Sequence, residues 1–312
     1  MSDAERADEI AAAISKGNKE PDVHVAHAST LAAFHKFDAA LQELDEAEKL
    51  GKKKEATASS RVSILLALGK YDEAIALLPP DYEKRNYEVL SIAGVIEARR
   101  QKIDEAERLF ELARTRYPDV APFPLAWMDF QRATVLDAAG RDGKPYYAEA
   151  VDVLPPYAHA AIHLSLSEKP DDAIKRLEEL RTTSEDDADV LAALADAHKR
   201  AGHAAESKKY VDLARKRFDA ILAKHPEAYA DHAARFFLGV GDDPAKALTL
   251  ARDNAKLRET EEAFDLWMAA AVGAKDQGDV CKSSIAMTKL KYLSEKGRRL
   301  ATASASKCPG GG

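Results

Sequence analysis

The sequence predicts an all-α fold: an α-solenoid of about eight stacked helix pairs, with a capping helix at each end. Three observations carry this expectation. A short pattern returns about every 34 residues. Alanine, the best helix former, falls in runs such as Ala11-Ala12-Ala13 and Leu191-Ala192-Ala193-Leu194. Only 15 glycines and 13 prolines interrupt 312 residues, and the 46% of apolar residues suffice for a continuous core. A closed-core protein of this length would divide into about two domains. A stacked array escapes that limit, because each added unit covers its neighbour.

The recurring pattern is a lysine, a bulky or rigid residue, one or two acids, and a small residue that opens an apolar-periodic stretch. It reads Lys36-Phe37-Asp38-Ala39-Ala40, Lys70-Tyr71-Asp72-Glu73-Ala74, Lys102-Ile103-Asp104-Glu105-Ala106 and Lys169-Pro170-Asp171-Asp172-Ala173. Ala40 and Ala74 stand 34 residues apart, Ala74 and Ala106 32, and Ala173 and Ser207 34. Looser copies follow at Ala247 and Ser283. The 67 residues from Ala106 to Ala173 hold one degenerate unit, marked by Gly140 and Pro155. Each acid is expected at a helix start, capping free N–H groups and facing the positive end of the dipole. The small residue lets two helices approach closely. Gly69, Gly140, Gly202 and Gly278 are expected to close the preceding helices in left-handed geometry. Pro118 and Pro226 stop the second helices of their pairs.

These residues resemble the tetratricopeptide repeat (TPR) family. The stretch from Tyr87 to Asp119 is similar to a complete unit, with Gly94, Ala106, Phe110, Ala113 and Pro118 at the family's small, aromatic and proline positions. Trp267 stands where the family often carries tryptophan. The resemblance covers residues 21–291 and implies a right-handed superhelix. Residues 1–20 then form an N-terminal capping helix, opened by the capping-box pattern Ser2-Asp3-Ala4-Glu5. Residues 292–312 form a C-terminal capping helix and tail. Two units depart from the pattern: the fourth, with its Arg141-Asp142-Gly143-Lys144-Pro145 turn, and the seventh, preceded by a long helix from about Ala204 to Lys224.

The resemblance also implies that the first helix of each pair lines a concave face. The early units then present small or neutral residues such as Ser29, Ala32, Ser59, Ser63, Ser91 and Val95, with Arg99 at the edge. Trp127 and Phe130 come from the fourth unit, Asp189, Asp196, Lys199 and Arg200 from the sixth, Tyr229, His232 and Phe236 from the seventh, and Met268, Val272 and Lys275 from the eighth. The Lys and Asn pairs by which co-chaperone members clamp a peptide carboxylate are missing from these positions, which disfavours a chaperone-tail adaptor. The aromatic and charged set has the chemistry of an interface hot spot. The competing reading of Trp127 and Phe130 is that they pack under the segment from Asp119 to Pro124.

Composition narrows the function. The net charge of −7 disfavours general nucleic-acid binding, which needs Lys and Arg against phosphate. Between Lys282 and Lys307 lie seven basic residues and one acid, read as a solvated cap. The sequence holds no apolar run of the roughly 18 residues that a membrane helix needs. It shows no signal-peptide pattern, so the default compartment is the cytoplasm, with a periplasmic or secreted location following if a signal has been trimmed. Cys281 and Cys308 either bridge the last helices or remain free thiols.

His159 and His163, four apart, and His24 and His27, three apart, are the candidate metal pairs, yet neither comes with a completing thiol or carboxylate motif. Phosphate-binding glycine loops and a nucleophile elbow are missing too. The expectation is therefore no cofactor, no metal and no catalysis. The predicted function is a scaffold or adaptor that binds a protein or peptide on the concave face. The alternative is an accessory module that stacks on an enzyme or self-associates through its convex face or ends. A metal-dependent enzyme stands third.

Overall fold

The computed structural model describes residues 3–309, with side chains from Arg6 onward. Ser2 of the expected capping box and the tail glycines Gly310–Gly312 lie outside the described residues. The helices run, in chain order, α1 (Asp3–Ser15), α2 (Pro21–Ala33), α3 (Phe37–Lys49), α4 (Lys54–Leu68), α5 (Tyr71–Ala76), α6 (Tyr87–Arg99), α7 (Ile103–Thr115), α8 (Pro122–Ala138) and α9 (Lys144–Val153). They continue as α10 (Ala158–Leu166), α11 (Pro170–Arg181), α12 (Ala188–Arg200), α13 (Ala204–Lys224), α14 (Ala230–Leu238), α15 (Pro244–Leu257), α16 (Glu261–Gly273), α17 (Gln277–Thr288) and α18 (Glu295–Ala305). Among the described residues there is no strand. No helix there is long and apolar enough to cross a membrane.

From α2 to α17 the helices associate two by two in sequence order, beginning with α2 on α3 and ending with α16 on α17. The turn inside many of these pairs is built the same way. A residue at positive φ (His35, Gly69, Gln101, Gly140, Gly202 or Lys275) is followed by an amide that bonds a carbonyl five residues back. Examples are Lys36 N–H to Leu31 O, Lys70 N–H to Leu65 O and Lys102 N–H to Glu97 O, each 2.9 Å. That is the Schellman closure, which satisfies the last carbonyls of the first helix.

Two sequence expectations are corrected here. Gly278 lies inside the first turn of α17, and Lys275 takes the left-handed position in its place. Pattern positions one helical turn apart share a face, so the repeat register slides by a turn without losing its apolar stripe. The acids of the pattern are also not caps. Lys36, Lys70 and Lys102 occupy the N-cap positions without a side-chain hydrogen bond, and Asp38, Asp72 and Asp104 stand in the first turn, where they favour the dipole. True side-chain caps appear elsewhere, at Asn86, Asp187, Asp243, Thr260, Asp276 and Ser294.

The small residues of the pattern are where the helices meet: Ala40, Ala74, Ala106, Ala173 and Ala247 are all fully buried. Gly94 serves the same purpose in α6, since a Cβ there would stand 3.1 Å from the Phe110 ring of α7. From Ala126 to Ala301 a single apolar core runs through the later units, whereas the first three units are held by smaller separate clusters. α5 is only six residues long, and Pro79 and Pro80 stand two residues beyond its end.

The array curls until its early units touch its late ones. The Glu259 amide, between α15 and α16, donates to Leu68 O at 3.1 Å, and Arg258 Nε donates to Ala67 O at 3.1 Å. Lys291 Nζ and the Tyr292 hydroxyl both bond Asp72, at 2.7 and 2.6 Å. The Phe34 ring lies 4.6 Å from the His225 ring, and Leu257 joins the apolar cluster of α2, α3 and α4. The solenoid therefore closes into a ring with a seam.

Cys281 of α17 and Cys308 after α18 form a disulfide, which resolves the open question of the two thiols. The bridge spans 27 residues and ties the end of α18 to α17. Closing a loop of this length contributes about 3.5 kcal/mol in the chain-entropy account. Replacing both cysteines with serine should lower stability by about that amount in denaturant titration, with the loss of amide protection concentrated in α18.

Candidate functional site

The first helices of the pairs abut along the chain, α2 with α4, α4 with α6, α6 with α8, α8 with α10, α10 with α12 and α14 with α16. Their shared face is the one expected to be concave. Two groups of side chains stand on it.

The first group is aromatic and imidazole. Phe130 of α8 is ringed by Tyr147 of α9 (5.9 Å between centroids), Tyr157 (5.6 Å), His159 (6.0 Å) and His163 (5.4 Å). Most of these contacts are tilted or edge-to-face, the arrangement that ring quadrupoles prefer. His159 in turn meets the ring of His232 on α14 at 5.9 Å, and Tyr229 lies 6.3 Å from His232. His232 Nδ1 pairs with Asp189 Oδ2 at 2.9 Å, joining α14 to α12. Burial pushes the His159 and His163 imidazoles below their ordinary range. His232 goes the other way: burial opposes its charge, but Asp189 outweighs it and lifts the imidazole to about 9.

Because the folded value lies above the ordinary 6.5, this pair stabilises the fold fully below pH 6.5, and the contribution is lost as pH rises through about 9. An NMR titration should place the His232 midpoint far above those of His159 and His163, and Asp189→Asn should bring it down. A His232 midpoint at or below 6.5 in the native protein would contradict the pairing.

The second group is the seam. Arg99, at the end of α6, pairs with Glu262 Oε1 at 2.5 Å across the ring, and its guanidinium lies 5.6 Å from the Tyr71 ring. Burial opposes the charge of Arg99, but Glu262 holds its value above the ordinary range. Beside this pair is a cavity of about 290 Å³, with Val95, Val135 and Met287 on its apolar side and Gln131, Glu261 and Asp265 on its polar side.

The residues expected on the concave face divide. Phe130, Tyr229 and His232 come together, and Arg99 stands at the seam. Trp127 packs toward the third unit, against the cluster of Leu90, Leu109 and Met128. Phe236 is only 4% exposed and stacks on Phe218 at 5.2 Å, so it belongs to the core. Ser91 and Met268 are buried as well. Asp196 pairs with Arg200 at 2.9 Å, and Arg200 also bonds Ser165 O and Glu168 O, tying α12 to the end of α10. Lys199 is exposed on a surface groove with Lys208 and Arg215.

The histidine pairs have other partners than a metal. His24 and His27 both reach Glu43, at 2.6 and 3.0 Å, and His27 also meets the Ser15 hydroxyl. Among the described residues no group of three or more His, Cys, Asp and Glu is arranged to hold a metal ion. Sequence reasoning missed Tyr71, Tyr147, Tyr157 and Glu262. The adjacency of Tyr157 to His159 was the one available signal.

No protein-family model matches the sequence. No curated protein matches it either. Solved structures do. A chain of the Cut9–Hcn1 hetero-tetramer of APC/C aligns with a TM-score of 0.51 at 14% identity, over 96% of this chain and 58% of that one. This chain thus spans little more than half of that structure's length. A tetratricopeptide repeat protein from Parabacteroides merdae aligns at 0.39 and 11% identity, over 92% and 99% of the two chains. Yeast Tom70 aligns at 0.36 and 9%, over 97% and 84%. At 14% identity the first of these speaks for the fold alone. The fold is that of an α-solenoid of tetratricopeptide-like repeats.

Proposed function

We propose that this chain is an adaptor that holds a segment of another protein against the inner wall of its ring. The observation that carries the reading is the aromatic and imidazole group at Phe130, Tyr157, His159, His163 and His232, partly open to water on a wall built from α8, α10 and α14. Large rings held in place by their neighbours offer contact area at little entropic cost, as interface anchors do. Catalysis has no part in this reading, nor does nucleic acid. The disulfide favours a compartment where such bonds persist over the cytoplasm expected by default.

The test is co-purification from native cells with the wild type and with Phe130→Ala plus His163→Ala, after circular dichroism shows both equally helical. A partner held by the wild type and lost by the variant supports the inner wall. Equal retention rejects it.

A second reading is self-association through the N-terminal end. Ile10 and Ile14, one turn apart on α1, are 51% and 50% exposed. Sedimentation velocity decides it: a mass that rises with concentration and is abolished by Ile10→Asp favours assembly, and a constant monomer mass excludes it.

A further inference from the structure

We propose that residues 258–262 occupy, within the same chain, a docking site for an acidic segment of a partner, extended where it meets α4 and entering a helix at its fourth residue, formed by the α4–α5 turn and the end of α6. The inference rests on the inner-wall reading and names the chemistry of what binds there.

The segment Arg258-Glu259-Thr260-Glu261-Glu262 is seated as a ligand would be. Arg258 (φ −130°, ψ 104°) and Thr260 (φ −111°, ψ 158°) are extended. The last carbonyls of α4 have no partner within the helix. Ala67 O and Leu68 O receive theirs from the Arg258 side chain and the Glu259 main chain. Gly69, at φ +83°, makes room, since a Cβ there would overlap Glu259 O. The Glu262 carboxylate then reaches Arg99.

Two further features show that the site calls for an anion. Arg99 keeps 31% of its side chain open to water and Glu262 45%, so the guanidinium is within reach of an incoming carboxylate. Tyr71 beneath it is only 5% exposed, and its hydroxyl has no hydrogen-bond partner among the described residues. A free donor and a guanidinium side by side suit a carboxylate.

Of the other charges of the segment, Glu259 is exposed and two are committed elsewhere. Glu261 bonds the Ser294 amide and hydroxyl at the start of α18, and Arg258 pairs with Asp231. Glu262 is therefore the exchangeable carboxylate. A partner that brings a main-chain N–H to Leu68 O and a Glu or Asp three residues later replaces it and opens the seam.

The probe is the fluorescein-labelled peptide Arg-Glu-Thr-Glu-Glu-Ala-Phe-Asp, the sequence of residues 258–265, read by anisotropy. Glu262→Gln weakens the resident segment by one charge-assisted hydrogen bond, so this variant should bind the peptide about tenfold tighter than the wild type. Adding Arg99→Gln should remove that gain, and a peptide with glutamine at its fifth position should bind neither protein. Gly69→Ala should also abolish binding, whereas Gly140→Ala, equally left-handed with nothing within 4 Å, should not. Equal affinity for wild type and Glu262→Gln, absence of binding to both, or binding that persists without Arg99, overturns the inference. Partner retention through Phe130 is read separately, so a failed peptide with an intact partner refutes the docking site and leaves the inner-wall reading standing. The reverse pattern refutes the wall and leaves the site.

Discussion

Phe218→Ala is expected to cost about 3–5 kcal/mol. Phe218 is completely buried in the middle of α13, stacked on Phe236 of the next pair and continuous with the core of the later units. The cavity cannot be refilled from solvent, and the long helix on which it stands joins two successive units. In a stacked array each unit is held mainly by its neighbours, so weakening one interface uncouples what lies on either side. Guanidinium unfolding followed by circular dichroism should show a lower midpoint and a shallower slope, the mark of an array that no longer melts as one. A loss under about 1 kcal/mol would mean that the site collapses around the missing ring.

Arg114→Leu is the second large effect, again about 3–5 kcal/mol. Asp129 on α8 is a buried carboxylate, 2% exposed, and its partner is the Arg114 guanidinium of α7, with Glu149 3.7 Å from the same group. Burial raises the Asp129 carboxyl above its ordinary range, and Arg114 offsets part of that rise. Removing the arginine leaves the burial uncompensated. Since the folded value is the higher one, the proton favours the folded state. The penalty is absent below the ordinary carboxylate range and grows as pH rises to the folded value. The variant should therefore be least stable near neutrality and recover on acidification. Arg114→Leu with Asp129→Leu should regain most of the loss, because a packed apolar pair replaces a buried ion pair at little cost. A single variant as stable as the wild type at pH 7 would show that water reaches Asp129.

Much of this fold is legible in the sequence because its signals are local. The period at Ala40, Ala74 and Ala106, the left-handed turns at Gly69, Gly140 and Gly202, and the long helix from Ala204 to Lys224 all follow from residues a few positions apart. Where register is carried by helical periodicity alone, it slips. Gly278 misses its turn, and Phe236, read as facing inward, falls on the core face of α14 beside Phe237. Trp127 and Phe130 are three residues apart yet pack toward opposite neighbours, a division set by helix packing that spacing does not reveal. The seam leaves no local trace at all. The bond from Glu259 to Leu68 and the pair of Arg99 with Glu262 join parts of the chain far apart in sequence, and they depend on the curvature summed over every unit between them.

Amide exchange at Glu259 tests that summed curvature most directly. In a closed ring this N–H is held by Leu68 O and should exchange as slowly as amides well inside α15 and α16. In an open array it would face solvent between two helices and exchange at the rate of an unprotected loop. Strong protection in the native protein, lost in Gly69→Ala and kept in Gly140→Ala, is the result expected of a ring; free exchange in the native protein would contradict it.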